Sequence, residues 1–577
     1  MEIKTNLSMQ DKQKSHKQVK GAEALLLSLL EEGVDTLFGY PGGAVMPLYD
    51  MLYDYKDKIK HILVRHEQGA SHAAQAYSQV TNKVGVCIST SGPGATNLIT
   101  GIANANIDSV PMVVITSQVI SPLLGTDAFQ ETDVVGLSMP ITKWNIQVTK
   151  ANEIAEAIAK AFYIAVSGRP GVVVIDITKD ALINQTEFVY QKNPRIRSYN
   201  PYPDLPMEEI KQAVEMIDKS KKPLLLVGHG ILIARAEKFL IEFAEKANIP
   251  VASTLLGLSA MPSDHELFVG MLGMHGNYAP NKLTNEADLI IAAGMRFDDR
   301  VTGRIADYAK KAKIIHIEID KAEINKNVKV DLAIHADVKA VLNTLIPLIQ
   351  KNTHPEWHNQ FKKLYKEEFE KVIDHDCHPN SEKIKMGEVV HQISEKTKGN
   401  AIIVTDVGQH QMVAARYYKY INPNSLVTSG GLGTMGFALP ASLGAAVARP
   451  DKQVIAFIGD GGFQMTIQEL GTIMQEKLPV KIVLLNNNFL GMVRQWQDMF
   501  FEKRYAETEM QNPDFVKIGE GYRIKSKEVD KRELLEPAIE EMLDEKGPYL
   551  LVVNVEKETN VFPMIAPGAS VEEIRLS

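Results

Sequence analysis

Two short turns bring together residue types that could do chemistry. Gly459-Asp460-Gly461-Gly462 closes the apolar run 454–458, and Asn486-Asn487 closes the run 480–485. Short β-rich runs of this kind put both turns at strand carboxyl ends, where open α/β sheets hold ligands. Glycine there lets backbone N–H groups approach a phosphate. The Asp460 carboxylate and the Asn487 amide oxygen are hard donors of the kind Mg²⁺ takes beside phosphates and water. Gly-Asp-Gly alone is an ordinary turn former. The Asn pair after the intervening residues 462–485 turns it into half of a metal–diphosphate clamp.

Positioning such a clamp needs parallel sheets, and the chain alternates strand and helix signals throughout. Gly21–Leu30 carries a helical apolar pattern stopped by Gly33, and residues 1–20 read as a flexible lead-in. Strand ends then run into glycine turns at Gly42-Gly43-Ala44, Glu67 and Ser91-Gly92-Pro93-Gly94, with a last strand before Lys179. A Pro- and Tyr-containing connection near 188–205 ends this unit, giving a first domain at 21–187. A second alternating unit at 206–350 opens with Gly228-His229-Gly230. A polar helical stretch around 350–375 precedes the third, at 380–577. The fold class is α/β, three domains each with a parallel sheet flanked by helices. His, Asp and Cys crowd together at 374–378, but neighbours in a linker rarely converge on one ion.

At 577 residues the chain exceeds one hydrophobic core. Its net charge of −8 argues against nucleic acid, and no apolar segment suggests a membrane or secretory role. Two cysteines, Cys87 and Cys377, fit a reducing compartment, so cytoplasm is the expected location. No Walker loop, zinc helix motif or nucleophile elbow is present.

Taken together, His66-Glu67-Gln68, Ala128-Phe129-Gln130-Glu131, the stretch 270–276, Arg296-Phe297-Asp298-Asp299-Arg300, the glycine-rich 430–436 and the clamp resemble the acetolactate synthase family of thiamine diphosphate (ThDP) enzymes, in its FAD-containing biosynthetic form. The resemblance runs from about residue 20 to the C-terminus. It implies condensation of pyruvate, after decarboxylation, with pyruvate or 2-ketobutyrate, the first common step of valine, leucine and isoleucine synthesis. It also implies ThDP, Mg²⁺ and a structural FAD, a homodimer or homotetramer, and a separate small regulatory subunit. Three stretches depart from the family pattern: Val413 and Arg416 stand where Trp and Gln are more usual, Asn488-Phe489-Leu490 follows the metal Asn, and Gln75-Ala76-Tyr77-Ser78 replaces a commoner Glu-Gly-Tyr-Ala.

Carried over residue by residue, the resemblance makes Asp460, Asn487 and the Phe489 carbonyl the metal ligands. Gln409, His410, Gly461 and Gly462 lie by the diphosphate, the Gly433 carbonyl receives the 4′-amino group, and Met435 is the wedge that bends the cofactor. Glu67 matches the carboxyl group that exchanges a proton with the aminopyrimidine and faces a neighbour's clamp. Gln130 and Lys179 stand at the reacting centre, with Gly43, Ala44, Phe129, Met274, Arg300, Val493 and Trp496 around the substrate. Arg300 suits the second keto acid's carboxylate, and Trp496 its ethyl group. FAD is expected along Arg169, Gly228, Gly230, Thr254, Leu255, Gly273, His275, Arg296, Glu318 and Asp337. A pyruvate oxidase shares fold, ThDP and FAD but reduces its flavin; the Arg296–Arg300 stretch and Trp496 argue against it. Intact Glu67, Asp460 and Asn487 argue against a catalytically dead binding member of the fold.

Overall fold

A computed structural model describes residues 17–577. Its strands form three six-stranded sheets, parallel throughout, and one two-stranded antiparallel pair. Strands such as Val172–Thr178 and Leu289–Ala293 are buried along their whole length, as continuous apolar runs covered by helices on both faces must be.

The first sheet runs, edge to edge, Lys60–Leu63, Thr36–Gly39, Gly85–Ser89, Met112–Gln118, Val172–Thr178, Trp144–Val148. The third repeats that connectivity with Leu426–Thr428, Ile402–Thr405, Val454–Gly459, Lys481–Asn486, Tyr549–Asn554 and Lys525–Val529. The middle sheet differs, placing Phe268–Met271 and Val251–Ser253 on one side of Pro223–Val227 and Leu289–Ala293, Lys313–Glu318 and Leu332–His335 on the other. In each sheet the order reverses at one inner point, with a second reversal at the far edge of the first and third, and the crevice at the inner point is where such folds bind ligands. The inner reversals lie between Thr36–Gly39 and Gly85–Ser89, between Pro223–Val227 and Leu289–Ala293, and between Ile402–Thr405 and Val454–Gly459.

First and third units share a core. The alanine-rich helices Glu67–Thr81 and Ala438–Ala448 pack so closely that a Cβ on Gly444 would lie 2.1 Å from the Ala73 carbonyl oxygen. His72 meets Phe437 edge-on between them.

Three sequence readings are refined. The lead-in of residues 1–20 is outside the described residues up to 16, and its end is not free: Gln18–Lys20 pairs antiparallel with Gln185–Glu187. The polar stretch before the third unit is held to the middle one, because Trp357 is buried and its indole N–H donates to the Pro223 carbonyl at 2.8 Å. The last residues also return to the middle unit, where Ile565, Val571 and Ile574 join its core and Ile565 N donates to Met274 O at 2.8 Å. A few buried apolar side chains in each stretch, Trp357 and Phe361 in the first and Ile565, Val571 and Ile574 in the second, make these attachments. No helix among the described residues is long and apolar enough to cross a membrane.

Candidate active site

The clamp forms because Val454–Gly459 and Lys481–Asn486 are parallel neighbours, so Asp460 and Asn487 emerge at one edge. Burial raises the Asp460 carboxyl above its usual range. Its Oδ1 accepts from Gly461 N at 3.1 Å and its Oδ2 from Asn512 Nδ2 at 2.7 Å. Asn512 also reaches Asn486 Oδ1 at 2.8 Å and Asn488 Oδ1 at 3.1 Å. Sequence reading missed Asn512, since only the pairing of 488–490 with 508–510 brings it here. Asn487 Oδ1 accepts from Phe489 N at 3.1 Å. The Phe489 ring is engaged elsewhere, with Lys557 Nζ 4.3 Å and the Arg494 guanidinium 5.1 Å from its centre, which leaves the backbone carbonyl as its donor. Among the described residues no cluster of three or more His, Cys, Asp or Glu could hold a metal. A mixed set of one carboxylate, one amide and one carbonyl oxygen fits Mg²⁺.

The diphosphate side also fits an anionic ligand. His410 is buried beside the glycines at 408 and 459, where a Cβ would come within 2.9 Å of its ring, and its Nε2 has no partner. Burial holds its pKa down to about 4, so the ring is neutral. Gln409 Nε2 donates to Gln495 Oε1 at 3.0 Å and Thr559 O at 2.9 Å. A Cβ at Gly461 would meet Leu490 at 2.8 Å and Met435 Cε at 3.4 Å, and one at Gly462 would meet Asp406 at 2.4 Å; the bare backbone is therefore required.

Met435 and Gly433, the latter at φ +68°, sit on a loop held from two sides. Asp406, at the third sheet's reversal, accepts from Val407 N and Gly436 N through Oδ1 and from Ala438 N through Oδ2, at 2.9–3.0 Å. Asp108, from the first unit, accepts from Gly431 N at 2.7 Å and Gly430 N at 3.0 Å. Burial pushes both carboxyls up to about 6 against these hydrogen bonds. Neither Asp carries a motif that marks it in the sequence.

From this loop a cavity of about 1490 Å³ runs into the middle unit. All ten residues expected along FAD line it: Arg169, Gly228, Gly230, Thr254, Leu255, Gly273, His275, Arg296, Glu318 and Asp337. So do Gly433, Met435, Met274, Arg300, Val493 and Trp496. The volume exceeds the roughly 300–1,000 Å³ of a site for one drug-sized ligand, which leaves room for a dinucleotide and a second group. Burial pushes Glu318 up to about 7. It also holds His275 neutral, its pKa down to about 4, with the Arg416 and Arg300 charges adding to the effect, and its Nδ1 is buried without a partner. Other lining residues have structural partners. Arg169 pairs with Glu323 at 2.9 Å and Asp320 at 3.3 Å, and Asp337 caps the helix Val338–Leu348 through Ala340 N. A Cβ on Gly228 would lie 2.3 Å from the Gly294 carbonyl oxygen, and one on Gly230 2.6 Å from the Gly294 Cα, so close approach of two strand ends already demands these glycines. The Trp496 ring meets Phe500 edge-on at 5.7 Å.

A second group stands apart on the first unit and does not line this cavity. Glu67 begins the helix Glu67–Thr81 and accepts from Asn97 Nδ2 at 2.9 Å, and a Cβ on Gly94 would come 3.2 Å from its Oε1. Ala44 N donates to Thr90 Oγ1 at 3.2 Å, beside Gly43. Gln130, at φ +61°, packs on Gly92, and Phe129 beside it is 88% exposed. Lys179 follows directly on the strand Val172–Thr178. These residues occupy the carboxyl edge of the first sheet, whereas the clamp and cavity occupy those of the other two.

Comparison with known proteins agrees with this division into units. Residues 19–137 match the thiamine pyrophosphate enzyme N-terminal TPP binding domain, 210–345 the central domain and 406–553 the C-terminal TPP binding domain. The acetolactate synthase isozyme 2 large subunit of Escherichia coli (strain K12) is 44% identical over 558 residues, spanning 96% of this chain and 99% of that protein. The acetolactate synthase large subunit of Corynebacterium glutamicum is 46% identical over 566 residues, 96% of this chain and 90% of its own. That of Lactococcus lactis subsp. lactis is 44% identical over 562 residues, 97% of each. With three TPP domains in order and these relatives matched over nearly their whole length, the chain belongs to the acetolactate synthase large-subunit family of thiamine pyrophosphate enzymes.

Proposed function

We propose that this chain condenses pyruvate, after loss of CO₂, with pyruvate or 2-ketobutyrate, giving 2-acetolactate or 2-aceto-2-hydroxybutyrate. The observation that carries this reading is the continuity of one cavity from the Gly433–Met435 loop beside the clamp to the wall formed by Met274, Arg300, Val493 and Trp496. When bound, ThDP supplies the electron sink for carbanion chemistry. Asp460, Asn487 and the Phe489 carbonyl hold Mg²⁺, while Gln409, His410, Gly461 and Gly462 receive the diphosphate. Met435 would pack against the bound cofactor and the Gly433 carbonyl would accept from its amino group. Glu67 gives and takes the proton at pyrimidine N1′, a general acid–base role. Arg300 receives the second keto acid's carboxylate, and the Trp496 face lies against its alkyl group.

Gly43, Ala44, Glu67, Phe129, Gln130 and Lys179 act from the first unit's edge. That this edge does not line its own chain's cavity supports a site completed by a second copy, in a dimer or tetramer, with Glu67 of one chain facing the clamp of the other. The exposed Phe129 ring is an apolar surface such a partner would cover. FAD lies along the middle unit from Arg169 to Asp337 and is structural, since condensation involves no net redox change. The relatives' designation as large subunits supports a separate small partner for this chain. Two reduced cysteines support the cytoplasm.

The test supplies pyruvate and 2-ketobutyrate with ThDP, Mg²⁺ and FAD and identifies the products while flavin absorbance is followed anaerobically. Acetohydroxy acids with an oxidised flavin are expected. Flavin reduction matching CO₂ release, with peroxide under air, would instead make the chain an oxidase.

A further inference from the structure

The linker helix Pro355–Glu368 ends on a carboxylate with no place in the chemistry above. Glu368 and Arg416 form an ion pair of 2.5 Å whose side chains are 0% and 1% exposed. Glu368 Oε2 also accepts from Tyr278 N at 2.7 Å, and its Oε1 from Asn277 Nδ2 at 3.0 Å. Arg416, on the helix Gln409–Tyr417, donates its other terminal nitrogen to the Phe562 carbonyl. Four segments therefore meet at one pair: the linker, the third unit, the C-terminal stretch and a loop of the middle unit.

That loop is the one carrying Gly273, Met274 and His275 to the cavity wall. Its amino end is tied through Asn277 Oδ1, which accepts from Met271 N at 2.9 Å, and its middle through Met274 O, which accepts from Ile565 N at 2.8 Å. The Glu368 contacts fix its carboxyl end. A buried ion pair is weak evidence for net stability, because desolvation of both charges offsets their attraction. Removing one partner leaves the other charge stranded and its hydrogen-bonded neighbours without a fixed position. Arg416 Nε is already buried without a partner, so the guanidinium is held for what its terminal nitrogens reach.

We propose that Arg416 and Glu368 are a matched pair of positioning residues that sets the loop 273–278 against the cavity, each functional only with the other. The flavin arm of the test rests on the proposed location of FAD; the exchange arm does not.

The experiment compares Glu368→Gln, Arg416→Gln and the double variant in the full chain. Hydrogen exchange of peptides covering 271–280 is measured without ligand, and FAD affinity by titration of the flavin-stripped protein. Each single variant should raise exchange in 271–280 and weaken FAD binding by about tenfold, and the double variant should return both to within about threefold of the parent. In the double variant the amide oxygen at position 368 keeps the acceptor for Tyr278 N, and neither charge is stranded. Single variants indistinguishable from the parent, or a double variant whose losses multiply, would overturn the pairing. Should the singles fail to fold, the double decides alone: parental exchange supports the pair, and an unfolded or freely exchanging double refutes it. A parent that takes up no FAD would refute the flavin location, while the exchange data still decide the proposal.

Discussion

Asp406→Asn separates two roles of one carboxylate. Asp406 is fully buried and accepts three backbone N–H groups from Val407, Gly436 and Ala438, and burial pushes its carboxyl up to about 6 from the 3.8 of an exposed aspartate. A folded value above the unfolded one means the folded chain binds the extra proton. The contribution to stability is then fully present below pH 3.8 and is lost as pH rises through about 6. At 1.36 kcal/mol per pH unit the loss is about 3 kcal/mol. Asparagine cannot titrate, so parent-minus-variant stability should fall by about that much between about pH 3 and about pH 7. At neutral pH the amide turns its NH₂ toward one backbone donor, a cost of about 1–3 kcal/mol, but removes a buried charge held against a penalty of similar size. Global stability at pH 7 should therefore change little, while the Gly433–Met435 loop loses an anchor and ThDP affinity falls by about tenfold or more. Urea unfolding of the ligand-free chain across pH, with ThDP titration at pH 7, measures both. A stability difference independent of pH, or unchanged ThDP affinity, would refute the reasoning.

The other predictions concern protons and specificity. His410 is held neutral by burial, its pKa near 4 against 6.5 when exposed, so its contribution is present above pH 6.5 and is lost as pH falls toward 4. His410→Gln should flatten the acid limb of the stability curve by about 3 kcal/mol over that window, the opposite sign from Asp406→Asn; an unchanged limb counts against it. Glu67→Gln should fold and bind ThDP yet slow exchange of the cofactor's C2 proton by about 10²–10⁴-fold, and parental exchange would remove Glu67 from the chemistry. Trp496→Leu should lower the preference for 2-ketobutyrate over pyruvate as second substrate within the roughly 10–200-fold range that one methylene supplies. Quantifying both products in competition reads the ratio, and an unchanged ratio makes Trp496 a packing residue.

Much of this was legible in the chain because strand carboxyl ends are marked by composition. Apolar runs ending in Gly-Asp-Gly, Asn-Asn, Gly-His-Gly or Pro-Gly-Gly announce both a parallel strand and its ligand edge, and the structure adds that all of these but Asn-Asn follow a strand bordering an inner reversal of strand order. The acetolactate synthase resemblance is matched by the domain and whole-chain comparisons. What stayed hidden depends on contacts between distant segments. Asp406, Asp108 and Asn512 sit in no motif, yet each holds a backbone turn or a clamp oxygen from another element. Arg416 stood out only as an unusual residue until Glu368, forty-eight positions earlier, supplied its partner. Trp357 ties the stretch that reads as a linker to the middle unit, and Ile565 ties the end of the third unit to it, through long-range contacts that no local pattern marks. The equal connectivity of first and third sheets is likewise invisible in sequence, because unrelated apolar runs satisfy the same topology.

The most direct test of a site shared between two copies is complementation. Glu67→Gln and Asp460→Asn chains, each inactive alone, are dissociated, mixed in equal amounts and reassociated, and acetolactate formation is measured. If Glu67 of one copy works with the clamp of the other, about half the dimers are mixed and one site in each is intact, so about a quarter of wild-type activity returns. If Glu67 serves the clamp of its own chain, every site in the mixture carries a defect, and activity no higher than that of the parents would contradict the shared site.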